Sequence, residues 1–75
     1  MEQYKNLGGD SGVAAYEIGP GSITVQFKDG AVYLYTNQSA GTASIAEMQR
    51  LARAGQGLNG YISRVVRKGY AQKLR

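Results

Sequence analysis

The 75-residue chain carries nine basic and five acidic side chains and contains neither cysteine nor histidine. Without cysteine there can be no disulfide and no thiolate nucleophile. Without histidine as well, the usual zinc ligands and the usual general base near neutral pH are missing. The composition therefore predicts one small domain that is not an enzyme and needs no cofactor and no metal.

Basic side chains are concentrated in the second half of the chain. Residues 1–37 carry four acidic and two basic side chains, whereas residues 38–75 carry seven basic and one acidic. A basic half favours a polyanionic partner. No apolar run reaches the roughly 20 residues that span a bilayer, and residues 1–10 lack the apolar stretch of a signal peptide. We therefore expect a cytoplasmic protein with no membrane partner.

The chain begins with a segment that shows no hydrophobic period, so residues 1–11 are predicted to be a flexible leader. A short strand over residues 13–18 follows, and Pro20-Gly21 is typical of a tight turn. A three-residue loop here would turn Glu17 inward, which the cost of burying an unpaired carboxylate disfavours. A two- or four-residue loop instead gives these facing pairs: Ile18–Ile23, Tyr16–Val25 and Ala14–Phe27.

Residues 22–36 have the clearest pattern in the chain, because β-branched and aromatic residues alternate on both sides of Asp29-Gly30. This pattern predicts a β-hairpin with a two-residue type I′ turn. The turn would fix the register and place the following side chains toward the core: Ile23, Val25, Phe27, Val32 and Leu34. The solvent-facing side would then carry Thr24, Gln26, Lys28, Tyr33 and Tyr35.

A polar loop over residues 36–43 precedes the first of two predicted helices. Ser44 and Glu47 have the spacing of a capping box, with Thr42 as the alternative cap, and Gly55 is typical of a helix C-terminus. The core-facing residues of this helix would be Ile45, Met48, Leu51 and Ala52.

The second predicted helix begins at Leu58 and stops at Gly69, and residues 70–75 would form a basic tail. Its apolar stripe consists of Leu58, Tyr61, Ile62, Val65, Val66 and Gly69. The expected fold is therefore α+β. A three-stranded antiparallel meander would be packed on one face by two C-terminal helices, in a single domain over residues 12–69.

Residues 13–70 resemble the KTSC domain, a small bacterial module that occurs alone and at the C-terminus of some lysyl-tRNA synthetases. The resemblance rests on the order and spacing of short motifs: Tyr16, Phe27-Lys28-Asp29-Gly30, Tyr33-Leu34-Tyr35, Gly55, Leu58, Asn59 and Ile62. The chain departs from the family at residues 39–42, where a proline is common, and at Gly57, where an aromatic residue is common. RNA binding has been suggested for the family from its attachment to a synthetase, so the resemblance implies an RNA partner.

Two groups of side chains are candidates for contact with such a ligand. Exposed tyrosines on a sheet can stack bases, which points to Tyr33 and Tyr35 with Lys28 beside them. Basic residues on an exposed helix face can contact phosphates, which points to Arg64, Arg67 and Lys68. In the predicted register, however, the two groups lie on opposite sides of the sheet, and one strand of nucleic acid could not easily reach both.

These observations support two hypotheses about function. The first is a small non-enzymatic module that binds RNA, such as tRNA, or single-stranded nucleic acid through the six candidate residues. The alternative is a protein-interaction or homodimerisation module that uses the outer sheet face or an edge strand.

Overall fold

The computed structural model describes residues 1–9 and 11–75, so that Asp10, within the predicted leader, lies outside the described residues. An antiparallel five-stranded sheet has its strands in chain order: β1 (Glu2–Gln3), β2 (Val13–Gly19), β3 (Ser22–Phe27), β4 (Val32–Thr36) and β5 (Gln72–Lys73). The helical segments lie between β4 and β5: α1 (Asn37–Ala40), α2 (Thr42–Ala54), α3 (Leu58–Tyr61) and a π-helical turn (Ile62–Val66). The fold is α+β, with the predicted meander β2–β3–β4 at its centre.

The pairing of β2 with β3 confirms the predicted register. Ile18 lies opposite Ile23 and Tyr16 opposite Val25. The two-residue turn between the strands has Gly21 at a φ of 62°, a left-handed conformation that glycine adopts without steric cost. A register shift between residues 13 and 15 places Val13 opposite Phe27, where Ala14 was expected. A β-bulge of this kind inserts one residue and changes which side chains face the partner strand.

The predicted two-residue turn at Asp29-Gly30 is wrong, because Phe27 pairs with Ala31 and residues 28–30 form a three-residue loop between them. The Phe27 amide donates to the Ala31 carbonyl (2.8 Å), and the Gly30 amide donates to the Phe27 carbonyl (3.0 Å). Of the loop residues, Gly30 alone has a positive φ, at 95°, whereas a type I′ turn would also require one at Asp29. The Asp29 carboxylate instead accepts from the Ala31 amide at 3.0 Å.

The longer loop shifts the register by one residue and exchanges the two faces of β4. Tyr33 now lies opposite Val25 and Tyr35 opposite Ile23, on the side of the sheet that the helices cover. The prediction that both tyrosines face solvent is therefore wrong. Val32 and Leu34 lie on the other face of the sheet, and Leu34 is half-buried there.

The helix α2 presents its apolar side to the sheet as predicted, with Ile45, Met48 and Ala52 buried. Its start is different, since the helix begins at Thr42 and the Ser44 side chain does not cap it. The capping box lies one helix earlier, where Thr36 and Ser39 exchange hydrogen bonds at the start of α1. Gly55 ends α2 in a left-handed conformation, as expected.

The π-helical turn changes the side that the last helical segment shows to the sheet. Its closing bond runs from the Arg67 amide to the Ile62 carbonyl, five residues back (2.6 Å). Arg67 then ends the segment at a φ of 52°, before the predicted stop at Gly69. Because the wider turn rotates the following side chains, Val65 is 55% exposed and does not belong to the core stripe.

Both chain ends take part in the sheet, although the sequence predicts a flexible leader and a basic tail there. Glu2–Gln3 pairs with β2, and the Tyr4 side chain is buried, its hydroxyl accepting from the Leu58 amide (3.2 Å). Gln72–Lys73 pairs with β4. In the described part of the chain, no helix combines the length and the hydropathy that crossing a membrane requires.

We expect Tyr4→Phe to lower the free energy of unfolding by about 1–3 kcal/mol, because the buried Leu58 amide loses its acceptor. Urea unfolding followed by circular dichroism would measure this, and Leu7→Ala is a suitable control because the Leu7 side chain is 65% exposed. Equal stability of Tyr4→Phe and the wild type would contradict the docking of the first residues.

Candidate nucleic-acid interface

Four aromatic rings form a cluster between the sheet and the C-terminal segment. Tyr33 lies at its centre, with ring-centroid distances of 4.7 Å to Tyr70 and 5.7 Å to Phe27. Tyr35 packs against both tyrosines, at 6.5 Å from Tyr33 and 6.3 Å from Tyr70. Edge-to-face and tilted pairs at these separations add to the stability that ring burial provides. The four rings therefore form one packed aromatic cluster.

A cleft of about 320 Å³ opens beside this aromatic cluster, between the sheet and the π-helical turn. We call it the aromatic cleft, and it is lined by Phe27, Tyr33, Tyr35, Ile62, Ser63, Arg67, Lys68 and Tyr70. Tyr33 and Tyr70 are half-buried, so part of each ring faces the cleft, whereas Tyr35 is only 2% exposed. Tyr35 therefore supports the other rings from below and has little surface to offer a ligand.

Exposed cations lie at one side of the aromatic cleft and beside the Tyr33 ring. Arg67 and Lys68 line one side of it, and the Lys73 ammonium lies 5.9 Å from the centroid of the Tyr33 ring, within cation–π range. The ion pair found among residues 1–9 and 11–75 joins Arg50 to Glu47 on α2. No described carboxylate neutralises the three cations at the cleft, and they are available to an anionic ligand.

The structure brings four of the six predicted site residues together at the aromatic cleft: Tyr33, Tyr35, Arg67 and Lys68. Lys28 lies in the hairpin loop, beside a neighbouring cavity that shares Phe27 and Tyr33 with the cleft. Arg64 does not line the cleft, and its Nε donates to the Gly60 carbonyl at 3.2 Å. The register shift thus removes the obstacle that the predicted fold placed between the tyrosines and the basic residues.

Two residues of this surface, Tyr70 and Lys73, were not predicted from the sequence. Both lie in the segment interpreted as a tail, which is too short to show a strand period. The signal that could have identified Tyr70 is its aromatic ring, since a large aromatic side chain gains stability when it is buried against a core. The position of Lys73 depends on the pairing of β5 with β4, which places Lys73 opposite Tyr33.

Burial raises the pKa of the Tyr35 hydroxyl to about 12, with smaller contributions from repulsion by the neighbouring Tyr33 and Tyr70 hydroxyls. In the unfolded chain this group would titrate near its ordinary pKa of about 10. The folded state holds the Tyr35 proton more tightly than the unfolded chain does. The contribution of this group to the free energy of unfolding is therefore complete below pH 10 and is lost as the pH rises toward 12.

We therefore expect Tyr35→Phe to flatten the loss of stability between pH 10 and pH 12, because phenylalanine has no proton to release. The thermal unfolding midpoint of both proteins, followed by circular dichroism across this range, measures the difference. All other side chains are the same in the two proteins, so the difference between the profiles reports on the Tyr35 hydroxyl. Parallel pH profiles for the two proteins would show that Tyr35 is not buried in this way.

The outer sheet face lacks the aromatic side chains that the sequence predicts for it. The outer sheet face holds Thr24, Gln26 and the half-buried Leu34, and the tyrosines expected there are on the other side. Within residues 1–9 and 11–75, no three acidic side chains lie close enough together to hold a metal ion.

Comparison with protein-family models finds no match to this chain. Comparisons with curated proteins and with solved structures also find no match.

Proposed function

We propose that this chain is a non-enzymatic module that binds RNA, as a single strand, at the aromatic cleft. The observation that carries the proposal is the meeting of partly exposed tyrosine rings with cations that have no described acidic partner. Non-specific single-strand binders combine these two features, since aromatic rings stack bases and a positive surface follows the phosphates.

The division of roles within the cleft follows from exposure and charge. Tyr33 and Tyr70 present ring surface to a base, and Tyr35 holds both rings in place from the core. Arg67 offers a planar guanidinium and Lys68 a point charge on the same side, where the phosphates of a stacked nucleotide would lie. The resemblance to the KTSC domain supports RNA as the nucleic acid, and the lack of cysteine and histidine supports a binding role in the cytoplasm.

The alternative proposal, docking of a protein or of a second copy on the outer sheet face, has lost its main support. It relied on two tyrosines that face the helices in the structure. The edge strands β1 and β5 have two residues each and offer little unpaired backbone to a partner strand.

Fluorescence anisotropy with a short labelled RNA strand tests the proposal directly. We expect binding that weakens steeply between low and physiological salt, and weaker binding of the same RNA as a duplex, because paired bases cannot reach the tyrosines. Amide shift mapping should place the largest changes at Arg67, Lys68 and Tyr70. Changes confined to Thr24 and Gln26 on the outer sheet face, or no binding at either salt concentration, would refute the proposal.

A further inference from the structure

A second cavity also borders the Phe27–Tyr33 pair. Its volume is about 370 Å³, and we call it the hairpin cavity, lined by Gly12, Phe27, Lys28, Asp29, Ala31 and Tyr33. It shares Phe27 and Tyr33 with the aromatic cleft, so the edge-to-face ring pair contributes to both spaces.

The lining of the hairpin cavity combines an apolar surface with one exposed cation. Phe27, Ala31 and Tyr33 supply the apolar part, and Lys28 is exposed. A backbone hydrogen bond holds the loop against the segment before β2, because the Lys28 amide donates to the Gly12 carbonyl at 2.7 Å. Ring and methylene surface beside a cation is suited to a nucleobase with its phosphate.

We propose that the hairpin cavity is a second nucleotide subsite, so that two successive nucleotides of one strand occupy the two spaces that border the Phe27–Tyr33 pair. The first occupies the aromatic cleft, and the second has its base in the hairpin cavity and its phosphate beside Lys28. This inference rests on the proposed function and extends it from a single stacking site to a two-nucleotide site.

The charge of Asp29 restricts how the second nucleotide can lie. Its carboxylate accepts from the Ala31 amide and remains at the rim of the cavity. A phosphate close to this carboxylate would be repelled, so the strand must pass on the side of Lys28. The neutral amide of Asp29→Asn keeps an oxygen for the Ala31 amide and removes the repulsion.

NMR titrations of the wild type and two variants with uridine monophosphate and with the 5′-phosphorylated uridine dinucleotide, which carries one phosphate for each subsite, test the two-nucleotide site. In the wild type we expect the dinucleotide to bind roughly tenfold more tightly than the mononucleotide, the gain typical of one further stacked base. Lys28→Ala should remove most of this advantage, because it should weaken the dinucleotide more than the mononucleotide. Asp29→Asn should increase the advantage.

The failure of this inference can be distinguished from failure of the proposed function. If the wild type binds both nucleotides equally well, or if Lys28→Ala does not change the advantage of the dinucleotide, the second subsite is refuted and the aromatic cleft remains. If Lys28→Ala weakens both ligands by the same factor, Lys28 belongs to the first site and the inference is again wrong. If the wild type binds neither nucleotide nor longer RNA, both proposals fail.

Discussion

Tyr35→Ala should lower the free energy of unfolding by about 3–5 kcal/mol, the range measured when a large buried aromatic side chain is removed. Tyr35 is among the largest fully buried side chains, at 2% exposure, and packs against two other tyrosine rings. A domain of this size has a total stability of only about 4–11 kcal/mol at ~0.05–0.15 kcal/mol per residue. The variant should therefore be largely unfolded at moderate urea concentrations.

Two control variants distinguish the contributions to stability. One compares the Tyr35 ring with its hydroxyl group, and the other compares the two faces of β4. Tyr35→Phe keeps the ring and should stay within about 1 kcal/mol of the wild type, because no described residue bonds the hydroxyl. Leu34→Ala removes a half-buried side chain on the opposite face and should cost less than Tyr35→Ala. If Leu34→Ala were instead the more destabilising change, the result would support the predicted two-residue turn and contradict the structure.

The second large effect concerns binding. Arg67→Ala/Lys68→Ala should weaken the affinity for single-stranded RNA by roughly tenfold or more near physiological salt, because two phosphate contacts are lost. The slope of log affinity against log salt should fall by about 1.4, at about 0.7 for each phosphate contact on a single strand. Anisotropy titrations at several salt concentrations measure both quantities.

The matched control is Arg50→Ala/Arg53→Ala, which changes the net charge by the same amount on α2. Both residues are exposed and neither lines the aromatic cleft. If the two double variants weaken binding equally, net charge alone attracts the RNA, and the aromatic cleft has no special role.

Much of the fold follows from local sequence patterns. At Pro20-Gly21 the cost of burying Glu17 excludes a three-residue loop, and a two- or four-residue loop gives the register of β2 with β3 that the structure shows. The apolar side of α2 and its end at Gly55 were likewise predictable from helical spacing and the left-handed tolerance of glycine.

The error at the hairpin has a specific physical origin. Asp29-Gly30 suits both a two-residue turn and a three-residue loop, because each requires a positive φ at Gly30. The choice depends on whether Asp29 adopts a positive φ as well, which residue preference alone does not decide. Since a one-residue shift exchanges the faces of a strand, this small uncertainty determined which side of the sheet carries Tyr33 and Tyr35.

The chain ends could not be predicted for a different reason. Strands of two residues, such as β1 and β5, have no measurable period, and their position depends on pairing with partners distant in the sequence. The same holds for the π-helical turn, where Ile62, Val65 and Val66 fit an ordinary helical stripe in the sequence. The aromatic cleft depends on both features, so its residues were only partly predictable.

Photochemical cross-linking of the protein to a short oligouridylate, with the adducts located by mass spectrometry, tests whether RNA binds on the rings of the aromatic cleft. The chain has six tyrosines, and we expect adducts at Tyr33 and Tyr70, the two that present ring surface in the aromatic cleft. Tyr61 serves as an internal control, since it is similarly half-buried but lies outside the cleft. Adducts at Tyr61 with none at Tyr33 or Tyr70 would contradict the claim that RNA binds at the aromatic cleft.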